Sequence, residues 1–415
     1  MKQWQWAVRL LARRMWFRAA LFCVFAVALA LAGALAGHMI PYEFATKVGA
    51  KSVDNILNVL ASSMLAVTTF SLTAMVSAYA GATSNITPRA VQLLVDDATA
   101  QNALATFLGS FLFAVVGIIA LSTGLYGETG RVILFAGTIL VIVLIVITFL
   151  RWIQHITRFG RVGDTIGRVE RAALNAVETM ARRPHFGSSH QKPVPPDANR
   201  IFHDEIGRVT HIDLQQLAKV AEDVGVIITL AALPGTLVDA ARMVAWTPVP
   251  LSDEQRDQIV GAFTVSTHRA FDHDLRFGLV VLSEIASRAL SPAVNDPGTA
   301  IEVLEAGTRV LAAILRYEPK SEHASSPGID MPPFSFPDLL EDLYRPISRD
   351  GAGIVEVGIR LQKSLVSLRA IEPLSATDCR READDALNRA RAGLSSSADR
   401  ERLVGIYEVN WGKLA

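Results

Sequence analysis

A chain of 415 residues is long enough for two or more folded regions, and it is 51% hydrophobic and only 19% charged. This is too little charge for a protein solvated by water alone, and the mean hydropathy is +0.32. Basic and acidic residues balance at 40 each, and the two cysteines, Cys23 and Cys379, exclude a disulfide framework. The composition therefore indicates a membrane protein with an additional polar region.

Four apolar runs lie within region 1–156, at about 19–40, 53–80, 103–126 and 132–150. Each is near or above the ~20 residues that a helix needs to cross the hydrocarbon core. Because backbone groups in lipid must be paired internally, each run predicts a transmembrane helix. The basic start of the first run also fits a signal peptide, but its length and the three later runs favour a retained helix. The prediction is a four-helix transmembrane bundle.

Basic residues flank both ends of this region, and they predict its orientation. Those before the first run are Lys2, Arg9, Arg13, Arg14 and Arg18, and those after the fourth are Arg151, Arg158, Arg161, Arg168 and Arg171. Because Lys and Arg are enriched on the cytoplasmic side, both termini are predicted to lie in the cytoplasm. We therefore expect a multi-pass membrane protein with both flanking segments in the cytoplasm.

One helical face of the second run carries hydroxyl groups. Its members are Ser62, Thr69, Thr73 and Ser77, which we call the hydroxyl stripe. The simpler interpretation is packing against the third run, whose glycines allow close approach. The alternative is a water or ion path lined by this stripe in a homo-oligomer. No ionisable residue lies well inside a run, which argues against a proton-coupled transporter more than against a channel.

The polar remainder predicts a cytoplasmic α+β domain. Region 157–200 is expected to be a juxtamembrane helix and linker, with the fourth span continuing to about residue 181. Region 201–250 is expected to be a small β-sandwich-like unit, similar to biotinyl or lipoyl carriers but without a lysine at its turn. Within it, Asp213 and Gly225 are the predicted caps of a helix at Leu214–Val224. Region 251–415 is expected to be helical.

Three helices are predicted in the first part of this helical region. Ser252 is expected to cap a helix over 253–265, and a second helix is expected over 274–290. Asp296 and Pro297 fit the N-cap and first position of a third helix.

A polar cluster at 268–276 is the one segment that suggests chemistry. On a helix, His268 and Asp272 would share a face at the i, i+4 spacing of a metal-ligand pair. The favoured interpretation is a polar helix start whose charges pair with Arg269 and Arg276. No phosphate loop, His-Glu-x-x-His motif or nucleophile elbow occurs in the sequence. We predict no enzymatic activity, no cofactor, no metal and no nucleic-acid partner.

A resemblance to a known family rests on three motifs. These are Pro88-Arg89; Arg269, Asp274, Phe277 and Gly278; and Ser291-Pro292, Asn295-Asp296-Pro297 and Thr299. Together they resemble the signature of a bacterial predicted-membrane-protein family, domain-of-unknown-function family 2254. His273 departs from the expected pattern, where a glutamine would stand. The resemblance implies four spans and a cytoplasmic domain, and it implies no activity.

Three functions remain open. The first is a non-enzymatic sensor or regulator whose cytoplasmic domain binds a small ligand or a protein partner. The second is a homo-oligomeric channel lined by the hydroxyl stripe. The third, least favoured, is a membrane-bound enzyme that uses the 268–276 cluster.

Overall fold

The structure is a computed structural model that describes residues 50–95, 97–123, 128–157, 159–181, 193–317, 328–332 and 334–412, with single positions between 17 and 28. The chain divides into two compact units. The first, here called the span unit, lies within Ala7–Ser84 and Val91–Arg161. The second, here called the C-terminal unit, contains Asn85–Ala90 and Val162–Ala415.

Long apolar helices dominate the described residues between 50 and 156. The helices are α1 (Ala50–Asn85), α2 (Pro88–Val95), α3 (Ala98–Ser122) and α4 (Glu128–Ile156). Within the part of the chain that the structure describes, three stretches are long and apolar enough to cross a membrane, at Ser52–Gly81, Ala98–Ser122 and Arg131–Ile156. The prediction of several apolar spans is therefore confirmed for the second, third and fourth runs. The first run, 19–40, lies outside the described residues except for single positions with helical backbone.

Helix α3 is tied to its neighbours in the span unit at two points. Asp97 caps α3 by accepting a 2.7 Å hydrogen bond from the Ala100 N–H, and it lies 3.0 Å from Nε2 of His155 near the end of α4. Further along α3, a Cβ on Gly117 would lie 3.1 Å from a Leu57 methyl of α1. The absence of a side chain at residue 117 therefore leaves room for the Leu57 side chain against α3.

The fourth span does not continue as one helix to residue 181, as the sequence had suggested. Helix α4 ends at Ile156, and a new helix, α5, covers Val162–Ala181. Between them Gly160 adopts φ +77°, and a Cβ there would lie 3.3 Å from the backbone oxygen of Ala78. A left-handed backbone and a close approach both favour glycine and end the helix.

The C-terminal unit contains two small sheets, whose first strand follows α5 in the chain. Its strands are β1 (Asn199–Ile201), β2 (Gly207–Ile212), β3 (Ile228–Leu230), β4 (Leu237–Val238), β5 (Ala245–Thr247), β6 (Phe263–Ser266) and β7 (Ile329–Asp330). One sheet has the order β1-β5-β3-β7 and the other β4-β2-β6. Buried aliphatic side chains from both sheets share one core with helix α6 (Leu214–Val224), which Asp213 caps as predicted.

Two strands lie outside the predicted β-rich region 201–250. The helix capped by Ser252, α7, ends at Val260 rather than at residue 265, and Phe263–Ser266 pairs with β2 as strand β6. Strand β7 pairs in parallel with β3. Because the sheets include strands from these distant segments, they do not form the expected sandwich within residues 201–250.

Six helices complete the described part of the C-terminal unit. They are α8 (Leu275–Ala289), α9 (Pro297–Leu315), α10 (Phe336–Asp350), α11 (Val355–Ile371), α12 (Ala376–Gly393) and α13 (Ser397–Trp411). Helix α8 packs against α5, α9 and α10, and α9 packs against α11. Gly278 permits α8 to pack closely on α5, because a Cβ there would lie only 2.5 Å from the Cβ of Ala173.

Candidate functional site

The polar cluster at 268–276 contains a buried ion pair that fixes the start of α8. Arg269 donates from Nε and Nη2 to the two carboxylate oxygens of Asp274, at 2.7 and 2.8 Å. Asp274 is only 3% exposed, and it also caps α8 by accepting from the N–H groups of Arg276 and Phe277, each at 3.1 Å. The Arg269 guanidinium lies 5.0 Å from the centre of the Phe277 ring. These contacts make the cluster a structural element.

The turn at Gly235 completes this arrangement. Gly235 adopts φ +93°, and any Cβ there would collide with the Asp274 carboxylate. Arg208 donates from Nη1 to the Gly235 carbonyl at 2.8 Å. Asp274 therefore joins the β4 turn to the start of α8, and only glycine fits between them.

The suggested metal pair does not form. Residues 268–274 form a loop rather than a helix, so the i, i+4 relation between His268 and Asp272 places them on no common face. His268 is exposed. Among the residues that the structure describes, no three His, Cys, Asp or Glu side chains are grouped to hold a metal. The expected pairing within the cluster holds for Arg269 with Asp274, whereas Arg276 pairs with Asp338 at 3.0 Å and Asp342 at 2.6 Å, both outside the cluster.

The second half of the signature forms the corner between α8 and α9. Asp296 caps α9 by accepting from the Thr299 N–H at 3.1 Å and the Thr299 hydroxyl at 2.6 Å, and these bonds lower the pKa of Asp296. Its own N–H donates to the Ala289 carbonyl at 2.8 Å. Asn295 adopts φ +50°, a conformation that asparagine tolerates. Pro297 takes the first turn of α9, while Ser291 and Pro292 begin the corner.

The signature residues Pro88 and Arg89 lie beside α8. Pro88 begins α2, and Arg89 forms an ion pair with Glu284 of α8. The buried Thr87 hydroxyl donates to the other carboxylate oxygen of Glu284 at 3.0 Å. The segment that follows α1 in the chain is thus bonded to the helix that carries Phe277 and Gly278. We call Asn85–Ala90 the connector.

A groove between α9 and α11 was not predicted from the sequence. Its volume is about 440 Å³, within the range of small-molecule sites. The lining residues are Glu305, Thr308, Arg309, Ala312, Ala313 and Arg316 from α9, and Arg360, Lys363, Ser364 and Ser367 from α11. Four are cationic and one is anionic. The sequence signal was a repeat of basic and small residues at helical spacing on two separate helices.

Hydroxyl groups form the floor of this groove. Ser364, only 5% exposed, is hydrogen-bonded both to Thr308 of α9 and to the phenol of Tyr344 on α10. Complete burial raises the pKa of Tyr344 well above its usual value, so this phenol remains protonated at all physiological pH values. The floor is therefore neutral, and the charge lies at the rim.

The hydroxyl stripe faces outward. Its residues Ser62, Thr69, Thr73 and Ser77 are all exposed, whereas Val53, Leu57, Leu60, Met64 and Met75 form the buried face of α1. The expected packing of the stripe against the third span is therefore wrong, because α3 meets α1 through Leu57. The hydroxyls of Ser62, Thr69 and Thr73 each donate to the carbonyl four residues earlier, at 3.0 Å.

Comparisons with known proteins identify similar chains but no activity. The family model described as "Predicted membrane protein (DUF2254)" matches residues 12–367. Uncharacterized proteins of Mycobacterium bovis and Mycobacterium tuberculosis are 23% identical over 235 residues, which cover 54% of this chain and 45% of theirs. This chain thus matches less than half of the length of these relatives. No solved structure matches it.

Proposed function

The chain belongs to this family of predicted membrane proteins, as its signature motifs indicated, and we propose that it is a non-enzymatic regulator in the bacterial inner membrane. In this proposal four helices span the membrane, and both termini and the C-terminal unit lie in the cytoplasm. The unit binds a small ligand or a protein partner, and the binding changes the state of the spans. The basic residues that flank 19–40 and 132–150 support this orientation.

One observation carries the proposal, namely the bonding of the connector to α8. Glu284 accepts from both Thr87 and Arg89, so both oxygens of one carboxylate are engaged by the connector. The Arg89 side chain is 57% exposed. An ion pair this open contributes little to stability, about 0–1 kcal/mol. Its better-supported role is to set the position of the connector, which continues directly from α1.

Hydrogen–deuterium exchange of the full-length protein in nanodiscs tests this role. Glu284→Gln removes the charge but keeps the size of the side chain. We expect exchange two- to fivefold faster in the connector and in the last turns of α1, which corresponds to ~0.5–1 kcal/mol. The charge-swapped double variant Arg89→Glu with Glu284→Arg is expected to restore slow exchange.

The matched control is Arg349→Gln, which removes an exposed ion pair with Asp350 at the end of α10. This variant should leave exchange in α1 unchanged. If Glu284→Gln affects only α8 and the connector, with no change in α1, the regulatory proposal is wrong. A C-terminal green fluorescent protein fusion tests the orientation separately, since it fluoresces only when the terminus is cytoplasmic.

A homo-oligomeric channel is the second candidate. It is favoured by the outward position of the hydroxyl stripe along a span, where a neighbouring copy could face it. Thr69→Leu and Thr73→Phe should then alter the conductance of reconstituted bilayers. Leu72→Ile, at an exposed position on a different face of α1, should not. Bilayers that stay silent under varied voltage and tension would exclude this candidate.

A further inference from the structure

We propose that the groove between α9 and α11 binds a small, non-aromatic organic anion that carries a phosphate group. This inference rests on the proposed function in one respect, since it names the ligand class that the C-terminal unit recognises. Four independent features of the groove support it, and they concern its shape, its charge, its hydroxyl floor and its single carboxylate.

The shape follows from small side chains between two parallel helices. Glu305 meets Arg360, and Thr308 meets Ser364 one turn further along both helices. Beyond this point the facing positions are Ala312, Ala313 and Ser367, whose short side chains leave the space between the helices open. The resulting volume of about 440 Å³ can hold a molecule of a few carbon atoms with its phosphate.

The charge of the rim is only partly neutralised by the protein. Arg309 is engaged by Glu170 of α5 through two hydrogen bonds of 2.6 and 2.8 Å. Arg316 and Lys363 are exposed, and neither forms an ion pair with any residue in the described part of the chain. They stand on opposite walls, Arg316 on α9 and Lys363 on α11. A tetrahedral dianion between them would accept hydrogen bonds from both walls at once.

The lining also restricts the rest of the ligand. None of the ten groove residues is aromatic, so a nucleobase would find no ring to stack on. The apolar contribution comes from the methyl groups of Ala312 and Ala313. The floor offers the hydroxyl oxygens of Thr308 and Ser364 as acceptors, because the Thr308 proton is donated to the Leu304 carbonyl and the two hydroxyls are bonded to each other. These features fit a short polyol or glycerol phosphate better than a nucleotide or a fatty acid.

Substitution of Glu305 is expected to strengthen anion binding, whereas substitution of the cationic residues weakens it. It is the only carboxylate among the lining residues, and it lies 3.3 Å from Arg360 with both side chains 44% exposed. An ion pair this exposed is weak, so a ligand can replace Glu305 as the partner of Arg360. An incoming phosphate would replace Glu305 as the partner of Arg360, while the Glu305 charge would repel it. Removing that charge should therefore tighten binding.

Isothermal titration calorimetry on the full-length protein in neutral detergent tests the proposal, with glycerol 3-phosphate, inorganic phosphate and citrate as probes in a phosphate-free buffer. We expect glycerol 3-phosphate to bind best and to weaken as salt is added. Arg316→Gln and Lys363→Gln should each weaken it about tenfold, the effect of one charge-assisted hydrogen bond. Glu305→Gln should tighten it a fewfold, which a misfolded variant would not do. Arg349→Gln, outside the groove, should leave it unchanged.

A second arm separates a free phosphate from a lipid headgroup. Nanodiscs of phosphatidylcholine with and without phosphatidic acid are compared by tryptophan fluorescence of the same variants. If only the phosphatidic acid discs respond, and Arg316→Gln abolishes the response, the phosphate belongs to a lipid and the site stands.

The proposal is overturned if wild type binds none of the soluble probes and the phosphatidic acid discs also give no response. It is equally overturned if citrate binds more tightly than glycerol 3-phosphate, or if Arg316→Gln and Lys363→Gln bind like wild type. The regulatory function fails separately, through unchanged exchange in α1 of Glu284→Gln. Absent anion binding together with a normal Glu284 effect would remove the groove site and leave the regulator.

Discussion

Replacing Asp274 by alanine should destabilise the C-terminal unit more than any exposed charge removal. The carboxylate accepts four hydrogen bonds, two from Arg269 and two from the first N–H groups of α8. Leaving the partner of a buried ion pair alone costs about 3–5 kcal/mol. The lower part of this range applies, since the Arg269 side chain is 20% exposed and can reach water. Loss of the cap adds about 1 kcal/mol.

The combined cost of about 4 kcal/mol corresponds to a fall in Tm on the order of 10 °C for a unit of this size. The assay is differential scanning fluorimetry of the full-length protein in detergent, with hydrogen exchange of α8 to localise the effect. Asp274→Asn keeps one oxygen for the backbone N–H groups and should lose about half as much. Because Arg269 and Asp274 act together, the double alanine variant should lose less than the sum of the single variants.

The matched control is Asp338→Asn, which removes one exposed partner of Arg276. Its cost should stay below about 1 kcal/mol. The assignment of this ion pair as the structural centre of the cluster would be refuted if the Tm of Asp274→Ala lay within about 3 °C of the wild-type Tm. It would also be refuted if Asp274→Ala lowered the Tm no more than the control variant does.

Three further predictions concern Gly235, Gly278 and the Asp296 cap of α9, the two glycines each with a control glycine. Gly235→Ala should cost about 2 kcal/mol or more, because it adds a collision with Asp274 to its left-handed strain; Gly412→Ala, left-handed but in open space, isolates the strain alone. Gly278→Ala should overpack the contact between α5 and α8, which costs ~1–3 kcal/mol of stability and lowers the Tm. Gly405→Ala, where nothing lies near the added Cβ, should raise stability by up to ~1 kcal/mol. The pKa of Asp296 is lowered in the folded state, so its stabilisation of α9 is complete above the unfolded value of about 3.9 and is lost as the pH falls through the folded pKa. The protection factor of the first turn of α9, which is the exchange rate corrected for the intrinsic effect of pH, should therefore fall in acid for wild type but not for Asp296→Asn.

Local sequence signals predicted the elements whose ends are chemically marked. Helix α6 begins after Asp213 and ends before Gly225, as predicted, because both caps act through neighbouring backbone groups. The α9 start at Asp296 and Pro297 has the same origin. Three apolar spans were equally visible, because the length of an apolar run is itself the requirement for crossing a membrane.

Elements that depend on distant partners were missed. Phe263–Ser266 follows a strong helix start, and only pairing with β2 makes it a strand. The metal-pair hypothesis failed for a related reason, since it required His268 to be helical, whereas α8 begins only after the Asp274 cap. The groove needs two helices to meet in one register, bringing Glu305 to Arg360. No pattern within either helix contains that register.

The signature residues differ in their structural roles, and this difference indicates where the function lies. Arg269, Asp274 and Gly278 are explained by packing and capping, so their presence requires no ligand. Arg89 is different, because its open ion pair with Glu284 adds little stability yet joins the connector to α8. Helix α8 in turn packs against α9, which forms one wall of the groove. A shift of α9 on binding an anion would therefore reach the connector through one intervening helix. This sequence of contacts predicts that glycerol 3-phosphate slows hydrogen exchange in the connector of wild type and fails to do so in Glu284→Gln, although its affinity for the groove is unchanged.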